Sequence, residues 1–294
     1  MKRKSLSLGQ MRAIEAVATN RNFSDAAKAL GVSQPSVSNH VTSVESRFAV
    51  RLFDRRGHVA VPSPELEALL PRLRTILMLT DELEGELDSR RALEIGQLRV
   101  GYSTHQVAVP ILTRFMRDYP AVKVEARAMA SDDLIKGLEA GDLDVACVTA
   151  REVPGQLSGI WLRDMRIVLA VPEDHPFAAR GRISIRELEG QPLIQREVGS
   201  STRRLLEARA ALARVPLTTI LAVGSWGTIV SMVRAGVAIG VGLDVEVEGV
   251  RGVTRVDIED GDMAAGQFLV YLPERKVISA VQAFLATTGD MIAE

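Results

Sequence analysis

The sequence of 294 residues contains little of the chemistry that disulfides, metal centres and membrane spans require. Its single cysteine, Cys147, excludes an internal disulfide and any site built from several cysteines, and we expect it to be a core residue. The four histidines show no HExxH spacing, so we expect no metal and no cofactor. No apolar run approaches the roughly 18 residues of a membrane span, and the basic start of the chain precedes no apolar signal segment. These absences predict a cytoplasmic protein with no membrane partner.

The familiar signatures of catalysis are absent as well. The sequence has no GxSxG, no Walker loop and no GxGxxG between a strand and a helix. With 47% apolar and 25% charged residues, the composition is that of a soluble globular protein, and the length suggests two or three domains. We therefore expect a binding protein rather than an enzyme.

Charge is distributed unevenly along the chain. Residues 1–63 hold ten Lys and Arg against four Asp and Glu, a net charge of +6, whereas the remainder carries −7. A small basic head on an acidic body indicates a polyanionic partner that binds only the head. The alternative is that charge varies by chance over some sixty residues.

Residues 8–48 carry the pattern of three short helices. Apolar side chains recur at helical spacing over residues 8–19. Ser24 is a favourable N-cap for a second helix that ends at Gly31, and Ser33 caps a third helix with a proline in its first turn. Two short helices joined by a glycine turn, with small alanines at their crossing, predict a helix-turn-helix.

The exposed side of the third helix would carry short, neutral hydrogen-bonding side chains rather than Glu–Lys pairs. Such side chains suit the base edges and phosphates of a major groove, whereas the alternative is a small helical hairpin with a polar face. A glycine-centred turn follows and predicts a two-stranded wing with two arginines at its tip. We expect contacts with bases from Gln34, Pro35, Ser38, Asn39 and Thr42, and further DNA contacts, mainly to phosphates, from Lys28, Ser33, Ser36, Arg55 and Arg56.

Residues 64–91 have the features of one long helix. Ser63-Pro64-Glu65 combines an N-cap, a first-turn proline and an early acid. Pro71 would remove one hydrogen bond and kink the first turns. A heptad walk is apolar at six of seven positions: Leu66, Leu69, Leu73, Ile76, Thr80, Leu83 and Leu87. The pattern predicts a coiled-coil seam between two chains, and the alternative is an amphipathic helix that lies on its own domain.

From residue 97 onward, strands and helices alternate, which predicts a parallel α/β sheet. The first set has strands at 98–102, 122–128 and 143–148, with helices at 107–118 and 132–140. The second set has strands at 167–171, 193–196, 219–223 and 237–242, with helices at 202–213 and 228–235. A final strand at 267–271 precedes a helix at 277–286.

Three loops of this body are candidates for ligand binding, because open α/β sheets bind ligands at the carboxyl ends of strands beside helix N-termini. They are residues 103–106, 196–203 and 224–227. In the second, a glycine, three hydroxyls and arginines at a helix N-terminus would form an anion cradle, or simply a well-capped surface helix. Asp244 and Glu246 would pair with a ligand amine or be solvated. The candidate ligand residues are Ser103, Thr104, His105, Thr149, Arg196, Gly199, Ser200, Ser201, Thr202, Ser225 and Trp226.

A family resemblance is carried by the pattern Phe23-Ser24-x-Ala26-Ala27-x-x-Leu30-x-Val32-Ser33-Gln34-Pro35-x-Val37-Ser38, then Val44-Glu45, then Leu52-Phe53-x-Arg55. It resembles the winged helix-turn-helix of the LysR-type transcriptional regulators. Asn39 stands where many members carry a basic residue, so no operator preference is carried over. The alternating body resembles the periplasmic-binding-protein-like effector domain of the same family.

The resemblance implies an α/β fold in three parts. These are a winged helix-turn-helix DNA-binding domain at 1–63, a linker dimerisation helix at 64–91 and an effector-binding domain at 96–294. The first effector subdomain would comprise 96–170 plus 272–294, and the second 171–271. The implied partners are double-stranded promoter DNA, a second copy of the chain in a dimer or tetramer, RNA polymerase, and a small anionic effector between the two subdomains.

The effector class is suggested by the 196–203 loop. This loop is similar to loops of family members that sense sulfate, phosphate esters or phosphonates, and the regulators of aminophosphonate use are closest in overall pattern. A phosphonate such as 2-aminoethylphosphonate is therefore one expectation. A carboxylate such as an aromatic or amino acid would suit the same groups.

Overall fold

A computed structural model describes residues 5–56, 59–88, 96–259 and 263–293. The chain divides into two compact units. The first comprises residues 1–96 with 139–142, and the second comprises the remainder. None of the described helices has the length and apolarity that a bilayer crossing requires.

The first unit is a winged helix-turn-helix followed by a long helix, as the sequence predicted. Its two strands pair in antiparallel fashion, so that Phe53 lies opposite Pro62. Small Ala26 and Ala27 are buried where the second and third helices meet, beside Val37. The elements are α1 (Leu8–Asn20), α2 (Phe23–Leu30), α3 (Gln34–Phe48), β1 (Phe53–Arg56), β2 (Val59–Pro62) and α4 (Pro64–Asp88).

The cap of α2 differs from the prediction. Asn22, not Ser24, is the N-cap, because its side-chain oxygen accepts from the backbone N–H of Ser24 at 2.7 Å and of Asp25 at 3.2 Å. Gly31 ends α2 in the left-handed region at φ 65°, as the turn requires. Ser33 is the N-cap of α3 by position, although its hydroxyl makes no capping hydrogen bond.

Helix α4 packs against the head along one face. Buried leucines at spacings of four, three and four residues share a core with α1: Leu66, Leu70, Leu73 and Leu77. Arg12 of α1 also donates to Asp81 at 2.9 Å and to Glu84 at 3.1 Å, which ties the two helices together farther along.

The predicted heptad seam therefore combines two different faces of α4. Leu66 and Leu73 point into the head's own core, whereas Leu69, Ile76 and Leu83 are 50%, 47% and 56% exposed. Thr80 is half-buried, the side chain of Leu87 lies outside the described part, and so do residues 89–91. Pro71 lies inside the helix, which continues past it to Asp88.

The second unit contains two α/β halves. Its elements are β3 (Gln97–Tyr102), α5 (His105–Asp118), β4 (Lys123–Ala128), α6 (Ser131–Glu139), β5 (Val145–Ala150), β6 (Ser158–Val171), α7 (Pro176–Arg180), β7 (Arg182–Ile183), a 3-10 helix (Ile185–Leu188), β8 (Pro192–Gln195), α8 (Ser201–Ala213), β9 (Thr218–Ala222), α9 (Trp226–Arg234), β10 (Ile239–Leu243), α10 (Asp244–Val247), β11 (Thr254–Ile258), β12 (Ala264–Tyr271), a second 3-10 helix (Pro273–Val277) and α11 (Ser279–Ala293).

The sheets of this unit are mixed, not parallel as predicted. In the first half β4, β3 and β5 are parallel, and β12 runs antiparallel to β5. In the second half β9, β8 and β10 are parallel, and β6 runs antiparallel to both β10 and β11. The reversed strands arise because the chain passes from one half to the other and returns.

Strand β6 belongs to both halves. Its residues 158–166 pair with β12, whereas residues 167–171 pair with β10 and β11. Because β12 pairs with β5, residues 264–271 lie in the first half, although the sequence analysis placed them within 171–271. The corrected division therefore falls inside β6 and just before β12.

The first half also buries an ion pair. Asp144 and Arg275 are both fully buried and approach to 2.7 Å, and Arg99 donates to the same carboxylate at 3.0 Å. On another side of this half, Phe115 and Phe284 pack edge to face with ring centres 5.1 Å apart. The ion pair joins β3 to the start of β5 and to the second 3-10 helix, and the ring contact joins α5 to α11.

Candidate functional site

A cavity of about 420 Å³ lies in the second unit, between its two halves. It stands at the carboxyl ends of parallel strands, because Tyr102 ends β3, Ala128 ends β4 and Arg196 follows β8. This is the edge at which open α/β sheets bind ligands. The lining residues are Tyr102, Ser103, His105, Ala128, Met129, Arg196, Glu197, Gly224, Ser225, Trp226, Gly227 and Glu246.

Two long helices begin at the cavity. His105 is the first residue of α5, and Trp226 is the first residue of α9. Ser225 caps α9 by accepting from the backbone N–H of Thr228 at 3.3 Å. The N-terminal N–H groups and dipoles of these helices make this end of the cavity favourable for negative charge.

Trp226 forms a wall of the cavity rather than a mobile cover. It is buried, and its indole N–H donates to the backbone carbonyl of Glu246 at 2.7 Å. Its ring lies on the backbone of Gly242 in β10. The side chain is therefore held in place by both β10 and the segment that follows it.

Arg196 stands between two carboxylates. Its Nη1 donates to Glu246 at 3.1 Å, its Nε donates to Glu197 at 3.3 Å, and its Nη2 lies 3.5 Å from the carbonyl oxygen of Ser103. Glu246 is almost completely buried and also accepts from the backbone N–H of Leu243 at 2.9 Å. Burial raises the pKa of Glu246, while Arg196 and the Leu243 N–H oppose that rise. The site therefore contains a guanidinium that the protein itself already pairs.

A buried polar chain leads away from Ser103. Its hydroxyl lies 3.2 Å from that of Thr149, which hydrogen-bonds the side-chain oxygen of Gln267 at 3.0 Å. The buried Nε2 of Gln267 has no hydrogen-bond partner among the residues that the structure describes. Thr149 thus reaches the cavity only through Ser103.

The predicted anion cradle at the start of α8 faces the protein's own Asp132. Gly199 accepts from the backbone N–H of Asp132 at 3.2 Å, and Arg204 donates to both carboxylate oxygens at 2.6 and 2.8 Å. Ser201 is buried and accepts from Arg204 at 2.9 Å. A carboxylate of the first half therefore lies beside this helix N-terminus and pairs with the side chain of Arg204.

The outer face of α3 carries the side chains predicted to meet DNA. Two of them, Ser36 and Ser38, are half-buried, and the remaining ones on or before α3 are exposed: Ser33, Gln34, Pro35, Asn39 and Thr42. Lys28 is exposed on α2 and pairs with Asp25 at 3.0 Å. Arg55 and Arg56 end β1, and their side chains lie outside the described part, as do residues 57 and 58.

The described residues contain no cluster of metal ligands, and their one thiol, that of Cys147, is buried. Nowhere in residues 5–56, 59–88, 96–259 and 263–293 do three His, Cys, Asp or Glu side chains form a group that would hold a metal ion. Cys147 is fully buried in β5, and burial raises its pKa to about 12.

The regions that match known proteins extend over nearly the whole chain. Residues 8–65 match the bacterial regulatory helix-turn-helix proteins of the lysR family, and residues 91–292 match the LysR substrate binding domain. A probable hydrogen peroxide-inducible genes activator of Streptomyces viridosporus is 30% identical over 300 residues, covering 98% of this chain and 92% of that protein. The chain belongs to the LysR family.

Solved LysR structures share the fold. A full-length OxyR variant of Pseudomonas aeruginosa gives a TM-score of 0.76 at 19% identity, covering 97% of this chain and 98% of that one. CbnR complexed with its target DNA gives 0.60 at 20% identity, covering 97% and 99%. The protein is thus a LysR-family DNA-binding transcriptional regulator with a ligand-binding effector domain, as the sequence predicted, and its relatives are regulators rather than enzymes.

The cavity brings together five of the predicted ligand residues: Ser103, His105, Arg196, Ser225 and Trp226. Six others do not line it: Thr104, Thr149, Gly199, Ser200, Ser201 and Thr202. Of the other seven lining residues, Glu197, Gly224 and Gly227 lie in two of the predicted loops, and Glu246 was one of the two acids considered as partners of a ligand amine. Sequence reasoning did not select the remaining three, Tyr102, Ala128 and Met129. Tyr102 and Ala128 are the last residues of their strands, so the rule that selected the neighbouring loops would also have found them.

Proposed function

We propose that this LysR-family regulator reads promoter DNA with the exposed face of α3 and that a small anionic metabolite in the effector cavity modulates its binding. The cavity supports the anion, because the N-termini of α5 and α9 meet there beside Arg196. The polar side chains Gln34, Asn39 and Thr42 support the reading of bases, since all three are exposed on the helix.

The effector we propose is a phosphonate such as 2-aminoethylphosphonate, a sulfate or a phosphate ester. The likeness of the 196–203 loop to those of oxyanion-sensing regulators supports this class. A carboxylate such as an aromatic or amino acid would use the same hydrogen-bond donors, and it is the other outcome of the ligand experiment.

Ligand binding would act on DNA through the relation between the two halves of the effector domain. Since residues of both halves line the cavity, a ligand that bridges them binds the closed form more tightly than the open form. In a dimer joined through α4, that shift would alter the spacing of the two heads on a partly palindromic promoter. Assembly to a tetramer, contact with RNA polymerase and a cytoplasmic location belong to the same proposal.

The ligand proposal is tested by titration calorimetry on the full-length protein with 2-aminoethylphosphonate, sulfate, a phosphate monoester and benzoate. We expect saturable binding of at least one oxyanion. The variants His105→Ala and Ser225→Ala should lower its affinity about tenfold, which corresponds to one hydrogen bond to a charged group. Ser231→Ala is the matched control, because Ser231 lies on α9 but does not line the cavity. If the wild type and the three variants all bind the ligand with equal affinity, the ligand does not bind beside His105 and Ser225.

The DNA proposal is tested by binding to the promoter upstream of the regulator's own gene and to a scrambled fragment. Asn39→Ala and Thr42→Ala should weaken binding to the promoter by roughly 5- to 150-fold each while leaving the scrambled fragment nearly unaffected. Arg55→Ala with Arg56→Ala should weaken binding to both fragments and flatten the salt dependence. If Asn39→Ala and Thr42→Ala weaken binding to the promoter and to the scrambled fragment equally, the exposed face of α3 does not read bases.

A further inference from the structure

The charged groups around the effector cavity do not match a plain anion. Its lining contains one guanidinium, Arg196, and two carboxylates, Glu197 and Glu246. Two nitrogens of Arg196 already donate to these carboxylates, and the third lies 3.5 Å from the carbonyl oxygen of Ser103. An entering anion would therefore meet an arginine that is largely paired and two like charges beside it.

The two carboxylates differ in what they can still bind. Glu246 uses one oxygen for Arg196 and the other for the backbone N–H of Leu243, and it is almost completely buried. Glu197 retains 30% exposure of its side chain and contacts Arg196 through Oε2 alone at 3.3 Å. Its Oε1 therefore remains able to accept a hydrogen bond from a ligand.

Glu197 also lies at an open side of the lining. A Cβ placed on Gly224 would stand 3.4 Å from the Glu197 carboxylate, so at that position no side chain covers the carboxylate. Gly224 directly precedes Ser225, the N-cap of α9. A negative side chain and a helix N-terminus are thus adjacent in the cavity wall, within the span of one small ligand.

We propose that the effector is a zwitterion, with an ammonium group that donates to Glu197 and an anionic group at the N-termini of α9 and α5. This inference rests on the proposed binding of a small anion in the same cavity and adds a cationic group to it. Arg196 and Glu246 would act as a fixed pair that holds Glu197 in place, rather than as the principal anion-binding group.

The experiment compares ligand pairs that differ only in the amino group, by titration calorimetry on the full-length protein. The pairs are 2-aminoethylphosphonate with ethylphosphonate, 2-aminoethanesulfonate with ethanesulfonate, and β-alanine with propionate. We expect the aminated member of at least one pair to bind about tenfold more tightly or better, as a charge-assisted hydrogen bond would give. Glu197→Gln should reduce that ratio to near one, and Glu189→Gln, an exposed acid outside the cavity lining, should leave it unchanged.

The possible outcomes separate this inference from the function on which it rests. If the compounds without an amino group bind as tightly as their aminated partners, the zwitterion is refuted and the anionic effector stands. If the preference survives in Glu197→Gln, the assignment of Glu197 is wrong. If none of the six compounds binds but sulfate or the phosphate monoester does, the zwitterion is refuted and the anionic effector stands. If those two fail to bind as well, both are overturned.

Discussion

The indole of Trp226 lies on the backbone of Gly242 so closely that a Cβ at position 242 would stand 2.4 Å from ring atom Cζ3. Glycine is required here by the approach of the ring, since its φ lies outside the left-handed region. The contact connects β10 to the first residue of α9. It thereby fixes one wall of the effector cavity.

We therefore expect Gly242→Ala to displace Trp226. The overlap should lower the free energy of unfolding by about 1 to 3 kcal/mol, and the shifted wall should weaken effector binding. Urea unfolding followed by tryptophan fluorescence measures the first effect, and calorimetry measures the second.

Gly289→Ala is the control for this substitution. Gly289 lies exposed in α11, and a Cβ there would have no neighbour within 4 Å. Replacing a helical glycine by alanine in open space should stabilise the protein by up to about 1 kcal/mol. A Gly242→Ala protein as stable as this control would show that the ring moves without cost.

The pH dependence of stability should report the buried Glu246. Because burial raises the pKa of Glu246, the folded state holds this proton more tightly than the unfolded state does. The stabilisation that this bound proton gives to the folded state is then complete below the pKa of Glu246 in the unfolded state. It is lost as the pH rises through the raised pKa of Glu246 in the folded state.

The variant Glu246→Gln cannot titrate at this position. The stability of the wild type relative to this variant should therefore fall as the pH is raised from acid towards neutral. Urea titrations of both proteins across this range measure the difference, with Glu189→Gln as a surface control. A difference that stays constant or grows with pH would contradict the assigned direction.

The buried pair of Asp144 and Arg275 gives a stability prediction for the first half. Asp144→Asn would remove the buried charge that Arg275 contacts at 2.7 Å and Arg99 at 3.0 Å. We expect a loss of about 3 to 5 kcal/mol in the free energy of unfolding. Asp257→Asn in the exposed pair with Arg255 should cost no more than about 1 kcal/mol. If the two variants lose similar free energies of unfolding, burial does not determine how much an ion pair contributes to stability.

Sequence reasoning succeeded where the deciding interactions are local. The three head helices, the left-handed Gly31 and the strand-end loops followed from periodicity, capping and turn chemistry within a few residues. Even the misplaced N-cap moved only from Ser24 to Asn22, because both residue types accept from backbone N–H groups two or three residues further on.

Sequence reasoning failed where contacts between residues that are distant in the chain decide the structure. Glu246 is buried against Arg196, which lies 50 residues away in sequence, whereas the sequence offered only a ligand amine or solvent as partners for this acid. Likewise the loop at Gly199 has the composition of an anion cradle, yet it contacts Asp132 of the other half, whose carboxylate pairs with Arg204. In the same way, which leucines of α4 face inward depends on α1, not on the heptad count.

Cys147 should be chemically inert in the folded protein. Its pKa of about 12 and its complete burial keep the thiol protonated and out of reach, whereas reactive cysteines are exposed thiolates. Iodoacetamide should therefore label it only in denaturant, as mass spectrometry would show. Hydrogen peroxide should change the DNA affinity of the wild type no more than that of Cys147→Ala. A peroxide response confined to the wild type would require a conformation that exposes β5.

The exposed face of α4 should be the contact between two chains. Leu69, Ile76 and Leu83 recur every seven residues and are each about half exposed, while a neighbouring face of the helix is buried in the head. A charge inserted at the centre of this seam would have to be desolvated in the dimer. Ile76→Lys should therefore raise the dimer dissociation constant at least tenfold without unfolding the head.

Sedimentation over a range of concentrations measures that constant, and circular dichroism checks the fold. Glu67→Lys is the control, because it places the same side chain about 200° around the helix from Leu69, at an exposed position away from the seam. Equal dimerisation of the two variants would mean that the chains associate elsewhere. In that case the half-exposed leucines of α4 would need another partner, and the two heads could not be held in register on a palindromic promoter through this helix.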